Sequence, residues 1–437
     1  MLVLRANGAG CRDAGKEGNR GETGGRLLKI LLATYWPIPH IGGVWPFMLQ
    51  LKNRLENWGH QVDLMGNGPD EPKYYIYGTG QKVMKDDLMH MLQAKLNRNT
   101  LPVLHQDPLV RRVEMDRYCM ELAAASFGLQ QYDVIHAQDV IASLALNRVR
   151  PPSTGLVASL HGSLAREIKI LLDEDGRLDS ETLRPLAHLY YRTLEYHGAM
   201  AAEKAVTASH WLKNVLSREY GVPAGHIEVS PYGFDMEPFA RKLAAGTPLV
   251  RPEGKKLIVC PARLETIKGI HFLIGALANL KQRRSDWLCW LIGDGDKRDE
   301  LIAQVQAAGL EGDVLFLGHR EDVPAILALS DIFVHPSVQD NQPFAVMEAQ
   351  TAGKPAVVSN AGGLPEMVEH GETGFVSMVG DTDTLAYHLE LLLADDELRL
   401  KMGEAARLSG CERWSLDRMT EHFVKAYLEA GHSRGRF

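Results

Sequence analysis

The feature that most restricts the fold is a repeated alternation of short apolar segments with helical segments, which starts at Leu27. Near-continuous apolar strands between helices are typical of parallel sheets that are covered on both faces. A proline-containing segment divides the alternation into two series, so the sequence predicts an α/β protein with two doubly wound domains. The predicted strands are 28–34, 61–65, 133–137, 155–160, 205–208 and 226–229 in the first series, and 256–260, 287–292, 314–317, 332–335, 356–359 and 374–377 in the second.

The same alternation sets the expected domain limits. Residues 1–26 precede it, are rich in glycine and charge, and are predicted to form a disordered tail. Residues 67–130 break the rhythm with polar turns and two predicted helices, which indicates a helical insertion. The predicted limits are 27–235 for the N-terminal domain, 236–254 for a linker, 255–412 for the C-terminal domain and 413–437 for a C-terminal helix that packs back on the N-terminal domain.

The charge distribution argues against nucleic acid as a partner. The chain carries 48 Lys and Arg against 55 Asp and Glu, a formal net charge of −7. Residues 1–250 hold 28 basic and 27 acidic side chains, whereas residues 251–437 hold 20 basic and 28 acidic ones. A protein that binds nucleic acid more often carries a basic surplus.

The cysteine and hydropathy patterns favour a cytoplasmic protein. The five cysteines are far apart and form no C-x-x-C pair, which argues against a disulfide framework or a zinc ribbon. No run of 18 apolar residues is present, and the N-terminus has no basic-then-apolar signal pattern.

Several loops at predicted strand ends carry residues that could contact a ligand, because open parallel sheets bind ligands there. Gly42-Gly43 and Gly362-Gly363 would allow a close backbone approach. Arg263 and Lys268, five residues apart at a strand-to-helix junction, would place two cations over a diphosphate. His161 ends the strand at 155–160. Each of these features alone is also explained by an ordinary turn, a solvated pair or a structural histidine.

Another such loop, 336–349, leaves a strand and enters a helix near Pro343, with Glu348 in that helix. Proline in a first turn leaves the following backbone N–H groups directed at the strand ends, although Glu348 alone could equally lie on a solvated face. Asp294-Gly295-Asp296 is interpreted as a turn, and no metal site is predicted. No G-x-G-x-x-G is present, which disfavours a nicotinamide-dependent oxidoreductase.

Taken in order, these motifs resemble glycosyltransferase family 4, the retaining nucleotide-sugar transferases of the GT-B fold. The resemblance spans about residues 28 to 425 and is most specific in the second half. Its motifs are Gly42-Gly43, His161-Gly162, Pro231 to Asp235, Arg263 to Lys268-Gly269, Asp340 to Glu348, and Gly362 to Glu366. The resemblance implies two Rossmann-like domains that face each other across a cleft.

The family also implies roles for individual residues. Arg263 and Lys268 would hold the donor diphosphate, and Gly43, in the loop with Gly42, would add a backbone N–H. Glu348 would bind the ribose, and His161 would approach the donor sugar. The nucleotide would be bordered by Gly293 and His319, and the sugar and phosphate would meet the segment formed by Asn341, Gln342, Pro343, Phe344, Ala345 and Val346.

The implied reaction transfers a hexose or N-acetylhexosamine from a UDP-, GDP- or ADP-sugar, without a cofactor or metal, to a glycan, lipid-linked or small-molecule acceptor in polysaccharide biosynthesis. Three departures from the family pattern bear on this expectation. Asp340 replaces the usual Glu, Asn341-Gln342-Pro343 replaces Gly-Phe-Gly, and Tyr232 stands where Asn is frequent. A retained carboxylate at Asp340 favours activity, and a non-catalytic member with a binding or surface-assembly role is the alternative.

A peripheral membrane contact at the inner face is a separate hypothesis. Residues 82–117 carry seven basic side chains among Leu, Met and Val, as segments that lie on anionic lipid do. A solvated insertion with five interspersed acids is the competing explanation.

Overall fold

The computed structural model describes residues 26–40, 42–174 and 184–436, so the predicted tail, apart from Arg26, lies outside the described residues. The chain forms two compact units. The N-terminal unit contains Arg26–Tyr232 and the C-terminal segment from Leu416, and the C-terminal unit contains Gly233–Ser415.

The N-terminal unit is built on a sheet of order β4-β3-β2-β1-β5-β6-β7-β8. The strands from β2 through β1 to β8 run parallel, while β3 pairs antiparallel with both β2 and β4. The strands are β1 Lys29–Pro37, β2 Gln61–Asn67, β3 Lys73–Ile76, β4 Lys82–Met84, β5 Val134–Ala137, β6 Gly155–Leu160, β7 Lys204–Thr207 and β8 Ile227–Val229.

Helices pack on this sheet and bury its apolar strands. They are α1 Val44–Asn57, α2 Lys85–Lys95, α3 Pro108–Ser126, α4 Val140–Val149, α5 Leu164–Glu174, α6 Arg184–Met200, α7 His210–Arg218 and, from the end of the chain, α16 Leu416–Ser433. Because β3, β4, α2 and α3 all fall within 67–130, the segment predicted as a helical insertion also adds two antiparallel edge strands.

The C-terminal unit has a fully parallel sheet of order β11-β10-β9-β12-β13-β14. Its strands are β9 Lys256–Pro261, β10 Trp287–Ile292, β11 Val314–Phe316, β12 Ile332–His335, β13 Ala356–Ser359 and β14 Gly374–Ser377. Its helices are α8 Met236–Ala244, α9 Ile270–Lys281, α10 Arg298–Ala307, α11 Val323–Leu329, α12 Phe344–Thr351, α13 Leu364–Met367, α14 Thr382–Ala394 and α15 Asp396–Arg413. The α/β class with two doubly wound domains is confirmed, and each predicted strand is present with its ends shifted by at most a few residues.

The segment predicted as a linker, 236–254, differs from that expectation because it begins with helix α8. Asp235 caps this helix by accepting a hydrogen bond from the Glu237 N–H, and Phe239 is buried. Pro238 lies in the first helical turn, where proline is tolerated, so it does not break the helix. The helix packs against α11 of the same unit.

The C-terminal helix α16 belongs to the N-terminal unit, where it packs against β6 and α1. The buried imidazole of His136 bonds the Tyr427 hydroxyl at 2.8 Å and the Ser159 hydroxyl at 2.7 Å. Arg54 also pairs with Asp417 at the start of α16. Among the described residues, no helix combines the length and the apolar character needed to cross a membrane.

Candidate functional site

The carboxyl edge of the C-terminal sheet brings together loops that are distant in sequence. A Cβ on Gly269 would lie 2.1 Å from the carbonyl oxygen of Pro336, and one on Gly362 would lie 1.7 Å from that of Asp340. Both glycines have positive φ, +65° and +60°, which side chains rarely adopt. Gly363 N–H also donates to the Asp340 carbonyl at 3.0 Å. Glycine at these positions therefore lets the loops after β9, β12 and β13 pack backbone against backbone.

Lys268 and Asp340 meet at this edge although they are 72 residues apart. The Lys268 ammonium lies 2.6 Å from Asp340 Oδ2, and both side chains are about 15% exposed (16% and 14%). His335 Nε2 lies 2.9 Å from the same oxygen, and Ser337 Oγ lies 3.0 Å from His335 Nε2. This arrangement, here called the lysine–aspartate cluster, holds a cation in place beside an ordered carboxylate.

The electrostatics of the cluster favour an ionised Asp340. Burial alone would raise the pKa of its carboxyl, but Lys268 and then His335 hold it well below its usual range. Burial lowers the pKa of His335, although Asp340 opposes that effect. Asp340 is therefore a weak base that stays ionised, and its negative charge lies beside the Lys268 ammonium.

Arg263 lies in the same loop but on its exposed side. Its guanidinium pairs with Glu265 at 2.6 Å, and 45% of its side chain is exposed. Thus the structure brings Lys268, but not Arg263, into contact with Asp340. Rearrangement of an exposed pair of this kind needs little free energy.

The loop that precedes α12, residues 336–343, is mostly buried. Asn341 and Gln342 are 4% and 5% exposed, and Asn341 N–H donates to the carboxylate of Asp340 at 3.1 Å. Pro343 leads into α12, whose amino end lies at the carboxyl edge because the helix follows β12. A helix start of this kind presents backbone N–H groups to an anion.

Within the first turn of α12, the predicted residues differ in exposure. Phe344 and Ala345 are partly exposed, whereas Val346 is fully buried and its N–H donates to the Pro343 carbonyl at 3.1 Å. Val346 therefore stabilises the helix start, and the backbone of Phe344 and Ala345 lies nearer the surface.

Glu348 lies one turn further along α12 and is only partly exposed. Burial raises the pKa of its carboxyl to about 7, while Lys242 of α8 lowers it in part. A carboxyl that is easily protonated near neutral pH can accept or donate hydrogen bonds to a pair of hydroxyls.

Two further predicted residues border the loop after β10. Gly293 N–H donates to the Gly318 carbonyl at 2.9 Å, and a Cβ on Gly293 would lie 2.0 Å from the Ala262 carbonyl oxygen. His319 follows Gly318 and is exposed. Asp294 Oδ1 accepts the adjacent Gly295 N–H at 2.9 Å, as in a turn. In the described part of the chain, no group of three His, Cys, Asp or Glu side chains has the arrangement of a metal site.

In the N-terminal unit, His161 follows β6 and is fixed at both ring nitrogens. Nε2 lies 3.1 Å from Gln138 Oε1, and Nδ1 lies 2.6 Å from the Tyr232 hydroxyl. Because the Gln138 amide donates to the His136 carbonyl, its oxygen faces His161, so Nε2 carries the proton and Nδ1 accepts from Tyr232. Burial, followed by the neighbouring His40, lowers the pKa of His161 to about 3, which keeps the ring neutral.

The glycine pair Gly42-Gly43 links β1 to α1. Gly43 is the first residue before the helix, and its carbonyl accepts the Phe47 N–H at 3.1 Å. A Cβ on Gly42 would lie 3.1 Å from His40 Nε2, so this loop is close to the histidine that contributes to the lowered pKa of His161.

Four residues that hold these groups were not predicted from the sequence: Gln138, Tyr232, His335 and Ser337. The sequence holds a signal for two of these four residues. His335 ends a predicted strand, as His161 follows one, and Tyr232 departs from the family pattern at a position close to the predicted end of the N-terminal domain.

Family models match both halves of the chain. The model described as "Glycosyltransferase Family 4" matches residues 41–238, and that described as "Glycosyl transferases group 1" matches residues 247–409. An uncharacterised glycosyltransferase of Methanocaldococcus jannaschii is 25% identical over 94% of this chain and its own full length. The UDP-Gal:alpha-D-GlcNAc-diphosphoundecaprenol alpha-1,3-galactosyltransferase of Escherichia coli is 26% identical over 69% of this chain and 76% of its own length.

Solved structures show the same fold. The sucrose-phosphate synthase of Thermosynechococcus elongatus matches with a TM-score of 0.69 at 18% identity, over 93% of this chain and all of that one. Anabaena HepE, solved in complex with UDP, matches with a TM-score of 0.62 at 20% identity, over 92% of this chain and all of that one.

The two parallel-sheet domains share the GT-B fold of these solved structures, and both family models describe glycosyltransferases, so the chain is a glycosyltransferase of the GT-B fold. The model that matches residues 41–238 is described by the narrower name of family 4, and the model that matches residues 247–409 covers the other half of the chain. The chain belongs to glycosyltransferase family 4.

Proposed function

We propose that this protein is a metal-independent retaining transferase. It moves a hexose or N-acetylhexosamine from a UDP-, GDP- or ADP-sugar to a glycan, lipid-linked or small-molecule acceptor. The observation that carries the proposal is the lysine–aspartate cluster, which fixes a cation at the strand ends where open parallel sheets bind ligands.

The cluster supports departure of a nucleoside diphosphate. Negative charge develops on the diphosphate as the glycosidic bond breaks, and a cation that is already ordered stabilises this charge without reorganisation. Lys268 has such order because Asp340 restrains it, and Arg263 supplies a second cation once it leaves Glu265. The Gly43 backbone N–H adds a donor to the same phosphates.

The remaining roles follow the resemblance. Glu348 binds the ribose hydroxyls, the segment from Asn341 to Phe344 meets the sugar and phosphate, and His161 contacts the donor sugar. The neutral state of His161 suits this role because the ring adds no charge, and its Nε2–H would donate to a sugar hydroxyl after leaving Gln138 Oε1.

Retention is proposed from the family resemblance, and a route without a covalent intermediate is proposed because Asp340 is unsuited to act as a nucleophile. Lys268 and His335 hold the pKa of Asp340 well below its usual range, which makes it a weak base and a poor nucleophile. We therefore expect the leaving phosphate to accept the acceptor's proton on the same face of the sugar, while the protein contributes positioning and charge stabilisation.

The relatives support the substrate class. The name of the Escherichia coli relative specifies UDP-Gal and a diphosphoundecaprenol-linked acceptor. An N-acetyl-alpha-D-glucosaminyl L-malate synthase of Bacillus anthracis is 30% identical over 40% of this chain and 46% of its own length. Lipid-linked and small-molecule acceptors are therefore both represented among similar proteins.

A panel of nucleotide sugars tests the proposal. Thermal shift with UDP, GDP and ADP identifies the base, because a ligand that binds only the folded state raises the unfolding temperature. Slow hydrolysis of the matching UDP-, GDP- or ADP-sugars, with and without EDTA, then tests catalysis, and the anomeric configuration of a transfer product tests retention. Failure of all three nucleotides to stabilise the protein would refute the proposal.

A non-catalytic role is the second candidate, favoured by the altered segment Asp340-Asn341-Gln342-Pro343. In that case a nucleotide would stabilise the protein, but no nucleotide sugar would be turned over. The double substitution Asn341→Gly/Pro343→Gly, which restores the glycines of the usual family pattern, would then be expected to gain hydrolysis.

A cytoplasmic location with peripheral membrane contact remains a proposal. Lys95, Arg98, Met91 and Val103 are exposed on and after α2, which would suit anionic lipid. Flotation with phosphatidylglycerol vesicles tests this contact, and absence of co-migration at low salt would exclude it.

A further inference from the structure

A cavity of about 440 Å³ opens within the N-terminal unit, outside the residues assigned to the donor. Its walls come from the end of β2, from α2 and from the first half of α3, and include Asn67, Lys85, Arg111, Arg112 and Asp116. The volume falls within the range that holds small-molecule ligands. We call it the α2–α3 pocket.

The pocket lies toward the carboxyl edge of the N-terminal sheet. Asn67 is the last residue of β2, and β2 runs parallel to β1. Helix α3 ends near the amino edge of the sheet, because it leads through the turn at Leu129–Gln131 into the start of β5. The first turns of α3 therefore lie toward the carboxyl edge. The carboxyl edge is where open parallel sheets bind their ligands.

The charge of the pocket is positive in a chain whose net charge is −7. Three lining residues are cations and one is an acid, and that acid, Asp116, already pairs with Lys85 at 2.6 Å. Arg111 and Arg112 are exposed and have no acidic partner within the described residues. The pocket therefore has two guanidinium groups whose hydrogen-bond donors remain available.

Nearby carboxylates do not neutralise these arginines. The side chain of Asp107 is buried and accepts the N–H groups of Leu109 and Val110 at the start of α3. The Glu114 carboxylate bonds Arg117 on the same helix. Glu114 also accepts the Tyr190 hydroxyl of α6 at 2.7 Å, so both acids are already engaged in other contacts.

We propose that the α2–α3 pocket binds an anionic group of the acceptor, a phosphate or a carboxylate. The planar fork of an arginine matches both groups through paired, charge-assisted hydrogen bonds. Met89 and Met115 supply adaptable apolar walls for the part of the acceptor that carries the anion. The assignment to an acceptor rests on the proposed transferase function, whereas anion binding itself does not.

Site-resolved arginine modification tests anion binding directly. Phenylglyoxal labels accessible arginines, and peptide mass spectrometry of the full chain measures the rate at each one. Inorganic phosphate or malonate at millimolar concentration should slow labelling of Arg111 and Arg112 by roughly fivefold or more, as expected for occupied guanidinium groups. Labelling of Arg218, an exposed arginine of α7 outside the pocket, should stay unchanged. Equal protection of all three arginines, or none, would overturn the proposal.

The source of the anion is decided by a second arm with phosphatidylglycerol vesicles. Protection of Arg111 and Arg112, but not of Arg218, by vesicles as well as by phosphate would support a lipid-borne anion. Protection by phosphate or malonate alone would support a soluble acceptor. If vesicles protect Arg218 equally and soluble anions protect nothing, the pocket has no specific role and the proposal fails.

Turnover separates this proposal from the transferase function. In the variant Arg111→Gln/Arg112→Gln, we expect the KM for an anionic acceptor to rise roughly tenfold or more, because hydrogen bonds between charged groups are lost. Nucleotide binding and donor hydrolysis should match the parent and the control Arg218→Gln. An unchanged KM in the variant would refute the pocket assignment. Failure of the parent protein to bind any of the nucleotides would instead refute the transferase function.

Discussion

Among single residues, Lys268 has the largest role in the proposed chemistry. Its ammonium is ordered by Asp340 at 2.6 Å, and in the proposed function it stabilises the negative charge that develops on the donor diphosphate. Substitution of Lys268 or Arg263 by Ala should lower turnover by roughly 10²-fold or more, as expected for loss of an ordered charge stabiliser. Initial rates with the nucleotide sugar identified by the panel provide the measurement.

Lys401 offers a matched control because it is exposed in the same unit and lies on α15. The substitution Lys401→Ala should leave turnover unchanged. If Lys268→Ala retained turnover within twofold of the parent, the diphosphate assignment would be wrong.

Tyr232 departs from the family pattern and contacts His161, one of the predicted site residues. Its hydroxyl donates to His161 Nδ1 at 2.6 Å, and its ring lies 5.2 Å from that of Phe47. Tyr232→Phe keeps the ring packing but leaves a buried nitrogen without its donor. We expect the free energy of unfolding to fall by about 1 kcal/mol and turnover to fall because His161 loses its orientation.

Denaturant unfolding and initial rates measure the two effects. Tyr387→Phe is the control, since Tyr387 is 52% exposed and should tolerate loss of its hydroxyl. A Tyr232→Phe variant as stable and as active as the parent would show that the hydroxyl does not position His161.

At the scale of elements, backbone contacts between loops shape the candidate donor site. Gly362→Ala would place a Cβ 1.7 Å from the Asp340 carbonyl oxygen, so the loop that carries Asp340 would have to move. Gly371 also has positive φ, +85°, but a Cβ added there would meet no atom within 4 Å. Both substitutions place an alanine in the left-handed backbone region, which strains the backbone. Only Gly362→Ala also creates a steric clash with another loop.

We therefore expect Gly362→Ala to be less stable than Gly371→Ala by at least about 2 kcal/mol, the range of an overpacked site. Denaturant unfolding measures the difference, and nucleotide thermal shift reports on the site itself. Equal stability of the two variants, with nucleotide binding intact in both, would contradict the close approach of the two loops.

Helices α5 and α6 are joined by a buried carboxylate near His161. Glu195 on α6 is fully buried, and its Oε1 accepts the Ala165 N–H at 3.0 Å and the Ser163 hydroxyl at 3.1 Å. Burial raises the pKa of Glu195 from 4.5 to about 7. Between these two values the folded protein holds a proton that the unfolded chain releases, so stability falls as pH rises through this window.

Glu195→Gln should remove this dependence. The free energy of unfolding of the parent, relative to the variant, should fall by up to about 3 kcal/mol between pH 4.5 and 7.5. Denaturant unfolding at both pH values measures it, and Glu397→Gln, at an exposed position, is the control. A parent-to-variant difference that does not change with pH would show that Glu195 does not titrate in this range.

The elements also show which parts of the fold the sequence predicts. Apolar parallel strands such as 155–160 and 287–292 match the structure because their burial on both faces leaves an uninterrupted apolar run. Strands β3 and β4 were missed, since three or four residues of an antiparallel edge leave no such run. Helix α8 was missed because Pro238 was interpreted as part of a linker.

The candidate site was predictable by residue type but not by contact. Arg263 and Lys268 stood out as cations at one strand end, yet their spacing could not show that Glu265 takes Arg263 and Asp340 takes Lys268. The second pairing depends on β9 and β12 being neighbours in the sheet, an order that local sequence does not encode.

For the molecule as a whole, the path of the chain links the C-terminal segment to the stability of the N-terminal unit. Helix α16 buries Phe423 and Tyr427 there, and the Tyr427 hydroxyl bonds the buried His136. A chain that ends after Ser415 would expose this surface and leave His136 without one partner. We expect the N-terminal unit of that truncated chain to lose cooperative unfolding, while the C-terminal unit keeps its own transition.

Calorimetry of two truncations and one point variant tests this expectation. A chain that ends after Ser433 loses the ion pairs of Arg434 with Glu203 and of Arg436 with Asp133. Because these pairs are partly exposed, their loss should lower stability by at most about 1 kcal/mol. If truncation after Ser415 leaves no soluble protein, Phe423→Ala in the full chain should lower the stability of the N-terminal transition alone by about 3–5 kcal/mol. If Phe423→Ala unfolds in a single transition at a lower temperature than the parent, the two units unfold together. If its unfolding is unchanged, α16 does not stabilise the N-terminal unit.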